Sequence, residues 1–214
     1  MLVRERMSSN PATVTADMPI TEALRLLRDK QVRRLPVLDA KGGLIGIVSE
    51  KDLLYASPSP ATSLSIYEMH YLLARLQVRE VMATEVITVE PDVPVEEAAR
   101  IMVDHKIGGL PVMEAGRMVG IITQTDIFEV FLELFGARQR GLRLMVEIPE
   151  RKGEMARITT AIAALGGNIL ALGTFPSDDP SIGLVIVKIE DVPAEALERT
   201  MHGLGMRIRD MREV

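Results

Sequence analysis

Among its 214 residues the chain has no cysteine and no tryptophan. The missing thiols exclude disulfides, cysteine zinc sites, iron–sulfur clusters and thiol nucleophiles. Aromatic residues make up only 3%, while Met is frequent at 13, which suggests deformable packing surfaces. There is no excess of basic charge. The net charge is −5 and the pI is near 5.4, which speaks against a general nucleic-acid binder. Long apolar runs are also lacking. Stretches such as Leu184-Val185-Ile186-Val187 have strand length and are far too short to span a bilayer. No apolar core follows the N-terminal charges, so no secretory signal is expected, and the expected location is cytoplasmic.

The usual catalytic constellations are missing as well. His70, His105 and His202 share no ligand spacing. Neither a Gly-x-Ser-x-Gly elbow nor a Walker loop occurs. Gly42-Gly43…Gly46 joins two strands and reads as a hairpin turn, and Asp178-Asp179 reads as a solvated pair in a loop. The expectation is a non-catalytic protein. Its 47% apolar and 26% charged residues have the balance of a soluble globular fold.

What is present is a repeat. Val3-Arg4-Glu5 returns as Val78-Arg79-Glu80, an offset of 78 − 3 = 75. At that offset Met7 meets Met82, Thr13-Val14 meets Thr88-Val89, Pro19 meets Pro94 and Leu35-Pro36-Val37 meets Leu110-Pro111-Val112. One residue is then dropped in a turn, and Gly46…Ser49…Asp52 meets Gly120…Thr123…Asp126. A duplicated unit of this size implies two lobes about a pseudo-twofold axis, with any site in two copies.

Each copy reads as β-α-β-β-α. Ile20, Ala23, Leu24 and Leu27, like Val95, Ala98, Ala99 and Met102, form one helical stripe behind a proline suited to the first turn. The strands 35–38 and 44–48, or 110–113 and 118–122, flank Gly-containing turns. Between the copies, residues 56–77 read as a linker with an amphipathic helix at Ile66, Met69, Leu73 and Leu76, either packing on the lobes or docking a partner. From Leu142 onward the order becomes β-α-β-β-α-β, which is ferredoxin-like. The expected domains are therefore 1–55, 78–135 and 142–214, and the expected class is α+β with α/β-like lobes.

Ser49…Asp52 and Thr123…Asp126 both match a capping box. Each can simply satisfy backbone donors at a helix start. Its carboxylate can also accept from both hydroxyls of a ribose, and its hydroxyl can meet a phosphate or ribose oxygen at the helix N-terminus. Arg33 and Arg34 stand where the second copy has Gly108 and Gly109. They are either a solvated pair or a polyphosphate contact that makes the two sites unequal. His105 and Lys106 precede the glycines and read either as solvated surface residues or as a polyphosphate contact in the second copy.

On these motifs the repeats resemble a pair of cystathionine-β-synthase (CBS) domains. The resemblance implies adenosine-nucleotide binding (AMP, ADP or ATP) as a regulatory ligand, with no required cofactor. The implied site residues are Thr13, Val14, Arg34, Leu35, Pro36, Ser49 and Asp52 in the first copy, and Thr88, Val89, Gly109, Leu110, Pro111, Thr123 and Asp126 in the second. Residues 142–214 resemble an ACT domain through the strand ending in Pro149, then Arg151-Lys152-Gly153, then Gly166-Gly167-Asn168-Ile169. Lys152 stands where that family often has proline. The resemblance implies an amino-acid ligand near Gly153 and Asn168, or dimerisation. The whole order is similar to AcuB-type acetoin-utilisation proteins. The expectation is a homodimeric sensor controlling a target protein; the alternative is a structural adaptor with empty clefts.

Overall fold

A computed structural model describes residues 1–56 and 75–214. The linker stripe at Ile66, Met69 and Leu73 lies outside the described residues. The chain divides into two units, Met1–Ile127 and Phe128–Val214.

In the first unit the strands are β1 (Ser8–Ser9), β2 (Val14–Thr15), β3 (Arg34–Leu38), β4 (Leu44–Ser49), β5 (Gly109–Glu114) and β6 (Arg117–Thr123). The helices are α1 (Ile20–Lys30), α2 (Glu50–Tyr55), α3 (Val95–Asp104) and the start of α4 (Gln124–Leu134). The apolar stripe of α1 buries Ile20, Ala23 and Leu27, and that of α3 buries Val95, Ala98 and Met102. Pro19 and Pro94 occupy the N-cap of these helices, one place before the first turn. Gln31 and Lys106, also 75 apart, follow the two helices in the left-handed conformation at φ 53° and 54°.

The two Val-Arg-Glu segments each form a 3-10 turn. Val3 and Val78 are fully buried, and Glu5 and Glu80 accept the backbone N–H of Leu2 and Gln77. These segments cross over between the repeats. Leu2 bridges Pro94, and Gln77 bridges Pro19. Ser8 and Ser9 pair antiparallel with Ile121 and Gly120, while Ala83 pairs with Ile47. The leading segment of one repeat thus completes the sheet of the other. This explains the glycine of the repeated motif. A Cβ on Gly120 would sit 2.7 Å from Met7 Sδ, and one on Gly46 would sit 2.7 Å from Met82 Sδ.

The second unit holds β7 (Leu142–Pro149), α5 (Glu154–Ala164), β8 (Asn168–Pro176), β9 (Ile182–Glu190), α6 (Ala194–Gly203) and β10 (Arg207–Glu213). The strands form one antiparallel sheet in the order β10-β7-β9-β8. Alternation sends Leu144, Val146, Val185 and Val187 to one face, where they pack with Ile158, Ile162, Leu197 and Met201 of the helices. Strand β8 runs as far as Pro176 because Gly173 to Pro176 keep pairing with β9. No helix among the described residues is long and apolar enough to cross a membrane.

Candidate functional site

The capping box forms in full at Ser49, and at Thr123 the half made by the aspartate carboxylate forms. Ser49 N–H and Oγ–H donate to Asp52 Oδ2 at 2.9 and 2.6 Å, and Asp52 N–H donates to Ser49 Oγ at 3.3 Å. In the second copy Thr123 N–H and Oγ1–H donate to Asp126 Oδ2, both at 2.7 Å. Each cap therefore occupies one carboxylate oxygen and leaves Oδ1 outside these bonds. Asp52 is exposed and Asp126 is half-buried.

Asp126 lines a cleft of about 460 Å³. One wall comes from the second repeat: Gly108, Ile121 and Thr123 to Asp126. The other comes from the first repeat: Ser8, Pro11, Ala12 and Gln31 to Arg34. The site is composite, so Arg34 lies with Thr123 and Asp126 as well as beside Ser49, its partner across β3 and β4. Its side chain lies flat over the second repeat's glycines. A Cβ on Gly108 would fall 2.0 Å from Arg34 Nη2, and one on Gly109 would fall 3.5 Å from Arg34 Cδ. Burial holds the Arg34 guanidinium below its ordinary pKa; the like charge of Arg33 adds to this and Asp52 opposes it. Neither arginine forms an ion pair with an acid among the described residues.

The other expected residues are placed differently. Leu35, Pro36, Leu110 and Pro111 are buried, as are Val14 and Val89, so their side chains belong to the lobe cores. Thr13 is half-buried and Thr88 exposed. Ser8, Pro11 and Gln31 line the cleft but carry no motif that marks them in the sequence. The one available signal is the 75-residue twin at Lys106, which shares the left-handed backbone of Gln31.

In the second unit Gly153 has φ 93° and lines a cavity of about 560 Å³ together with Arg151, Lys152 and the ends of β8 and β9. Asn168 is not there. It starts β8 and donates to Glu190 at 2.6 Å. The 11-residue helix α5 separates it from Gly153, roughly 16 Å at 1.5 Å per residue. Glu154 is 2% exposed, and its carboxyl is held below the usual range by the bond from Arg151 and then by Arg157. Among the described residues no group of three or more His, Asp or Glu side chains could hold a metal ion.

A family model described as CBS domain matches residues 3–59 and 78–133. A Vibrio cholerae protein carrying the name acetoin utilization protein (AcuB) is 33% identical, with TM-score 0.53, over 64% of this chain and 95% of its own. CBSX2, solved in complex with AMP, is 29% identical with TM-score 0.53, over 62% of this chain and 97% of its own. The CBS domain pair of protein MJ0100, solved with 5-methylthioadenosine and S-adenosyl-L-methionine, is 29% identical with TM-score 0.52, over 65% and 98%.

Proposed function

The chain belongs to the CBS-domain family, and from that premise we propose that it is a non-catalytic sensor of adenosine nucleotides (AMP, ADP or ATP) that regulates a partner protein. The observation that carries this reading is the composite cleft. Asp126 keeps one carboxylate oxygen outside its cap for a ribose diol, and Arg33 and Arg34, neither in an ion pair among the described residues, bring two positive charges to the same opening. A phosphorylated nucleoside satisfies both ends at once. The AMP complex of CBSX2 and the methylthioadenosine complex of MJ0100 support an adenosine group. The Ser49–Asp52 cap is the twin position, with Gly108 and Gly109 in place of the arginines. Ligand preference for one arrangement of the lobes shifts a conformational equilibrium and changes the surface offered to a target.

Residues 142–214 act in this reading as an ACT-type domain. Their β-α-β-β-α-β order and the positive φ of Gly153 beside a cavity support it. It binds an amino acid or makes a homodimer. Gly153 and Asn168 stand at opposite ends of one sheet, so a ligand touching both needs two copies. The β8 edge, Asn168–Pro176, carries no charged residue, whereas the β10 edge carries Arg207, Arg209, Asp210, Arg212 and Glu213. Charge protects the second edge and leaves the first suited to pairing.

Calorimetry with AMP and ATP on Asp126→Ala and Asp52→Ala tests the nucleotide site. Loss of charge-assisted bonds of about 1.5–3 kcal/mol lowers affinity roughly 10- to 100-fold at the altered cleft. Unchanged binding in both variants rejects the ribose role. Absence of any nucleotide binding in the intact chain leaves the caps purely structural, as an adaptor would have them.

A further inference from the structure

The sheet face of the second unit that turns away from α5 and α6 holds another cavity. Along β9, Val185, Val187 and Ile189 enter the core under the helices, so Ile186 and Lys188 project to the opposite side. There Lys188 is only 5% exposed. Its Nζ donates to Gly136 O at 2.9 Å, just past the end of α4. No carboxylate pairs with it among the described residues. A helix C-terminus offsets part of a positive charge. A buried ammonium with one carbonyl acceptor is still short of counter-charge.

Around Lys188 the walls are apolar. Phe131, Phe135, Phe175, Ala171 and Ile186, with Arg143 and Val214 at the side, line an open cavity of about 340 Å³, close to the lower end of small-ligand sites, roughly 300–1,000 Å³. The rings form a row, with centroids 4.7 Å apart for Phe131 and Phe135 and 5.9 Å apart for Phe135 and Phe175. Phe131 is 51% exposed and Phe175 39%, so the rim is open aromatic surface. Arg143 also lines the cavity, but Asp210 already accepts from it at 2.6 Å. The charge left to answer is that of Lys188.

We propose that this cavity binds a small hydrophobic carboxylate, with its head on Lys188 Nζ and its aryl or alkyl tail against Phe135 and Phe175. A zwitterionic amino acid fits poorly, because its own ammonium would face that of Lys188. The site is thereby distinct from the cavity at Gly153 and does not rest on the nucleotide reading.

The test is a titration of the full chain with 3-phenylpropionate, 3-phenylpropanol and phenylalanine, followed by thermal shift and calorimetry. The carboxylate is expected to bind saturably, and the alcohol and the amino acid at least about 10-fold more weakly. Lys188→Met is expected to lose about 10-fold or more for the carboxylate while its AMP response stays unchanged. Phe131→Ala keeps the Lys188–Gly136 bond and is expected to weaken binding several-fold, which decides the matter if Lys188→Met does not fold. Equal binding of acid and alcohol overturns the proposal. So does the absence of saturable binding up to about 10 mM of the acid, or an unaltered affinity in both variants.

Discussion

The two repeats share a backbone plan and differ where they meet. At the axis the first repeat places Arg33 and Arg34 and the second places Gly108 and Gly109. The Arg34 side chain occupies the space above both glycines. A side chain at position 108 would collide with the Arg34 guanidinium, so a large residue on one side goes with none on the other. Arg34 lines the cleft at Asp126 and also feels the charge of Asp52, whereas positions 108 and 109 bring no charge to either cap. Internal symmetry thus supplies two similar hydroxyl–carboxylate caps, and two Arg–Gly exchanges make their surroundings chemically unlike.

The most forceful way to break the likeness is to block the crossing segments. Gly120→Ala drives a methyl to 2.9 Å from Ser8 O, a backbone atom that cannot step aside. Gly46→Ala approaches Ala83 O less closely, at 3.1 Å. Urea unfolding is expected to show losses within about 1–3 kcal/mol for both, with Gly120→Ala the larger.

Next in size is the charge difference. Arg34→Ala is expected to lower ATP affinity at the Asp126 cleft about 10-fold and to leave adenosine binding little changed. Gly108→Ala places a methyl 2.0 Å from Arg34 Nη2 and should reproduce the effect by displacing the guanidinium. Calorimetry with ATP and adenosine on both variants measures it. A matching loss for adenosine would show that Arg34 shapes the cleft and does not read phosphate.

The smallest difference lies in the two Val-Arg-Glu segments. Arg4 Nε donates to Asp92 Oδ1 at 2.6 Å, whereas its twin Arg79 makes no such bond to Asp17. The Asp17 carboxyl is held low first by the Thr15 hydroxyl, and Arg79 contributes least. Thermal unfolding should therefore show a small loss for Arg4→Ala and close to none for Arg79→Ala.

Much of this is legible in the residues. Fixed offsets reveal the repeat, 3.6-residue spacing reveals α1 and α3, and strict alternation reveals β7. The capping boxes are readable because their bonds join residues only three apart. The crossing of the leading segments is not. The two Val-Arg-Glu segments are identical and could sit in either repeat, and only tertiary packing decides that each docks on the other one. The membership of Arg34 in the Asp126 cleft is hidden for the same reason. Leu35-Pro36 and Leu110-Pro111 read as lining residues, and the structure buries them, while Arg34 and Gly108 beside them line the cleft.

The exchanged segments also bear on how the chain is made. Residues 1–9 are synthesised before their docking groove, which includes Pro91 to Pro94 and the strand reaching Thr123. At roughly 5–20 residues per second this segment waits on the order of ten seconds for its seat. Through that interval Met7 and Val3 have nothing to bury against, and a growing polypeptide that stalls before β6 emerges would hold an open, sticky end.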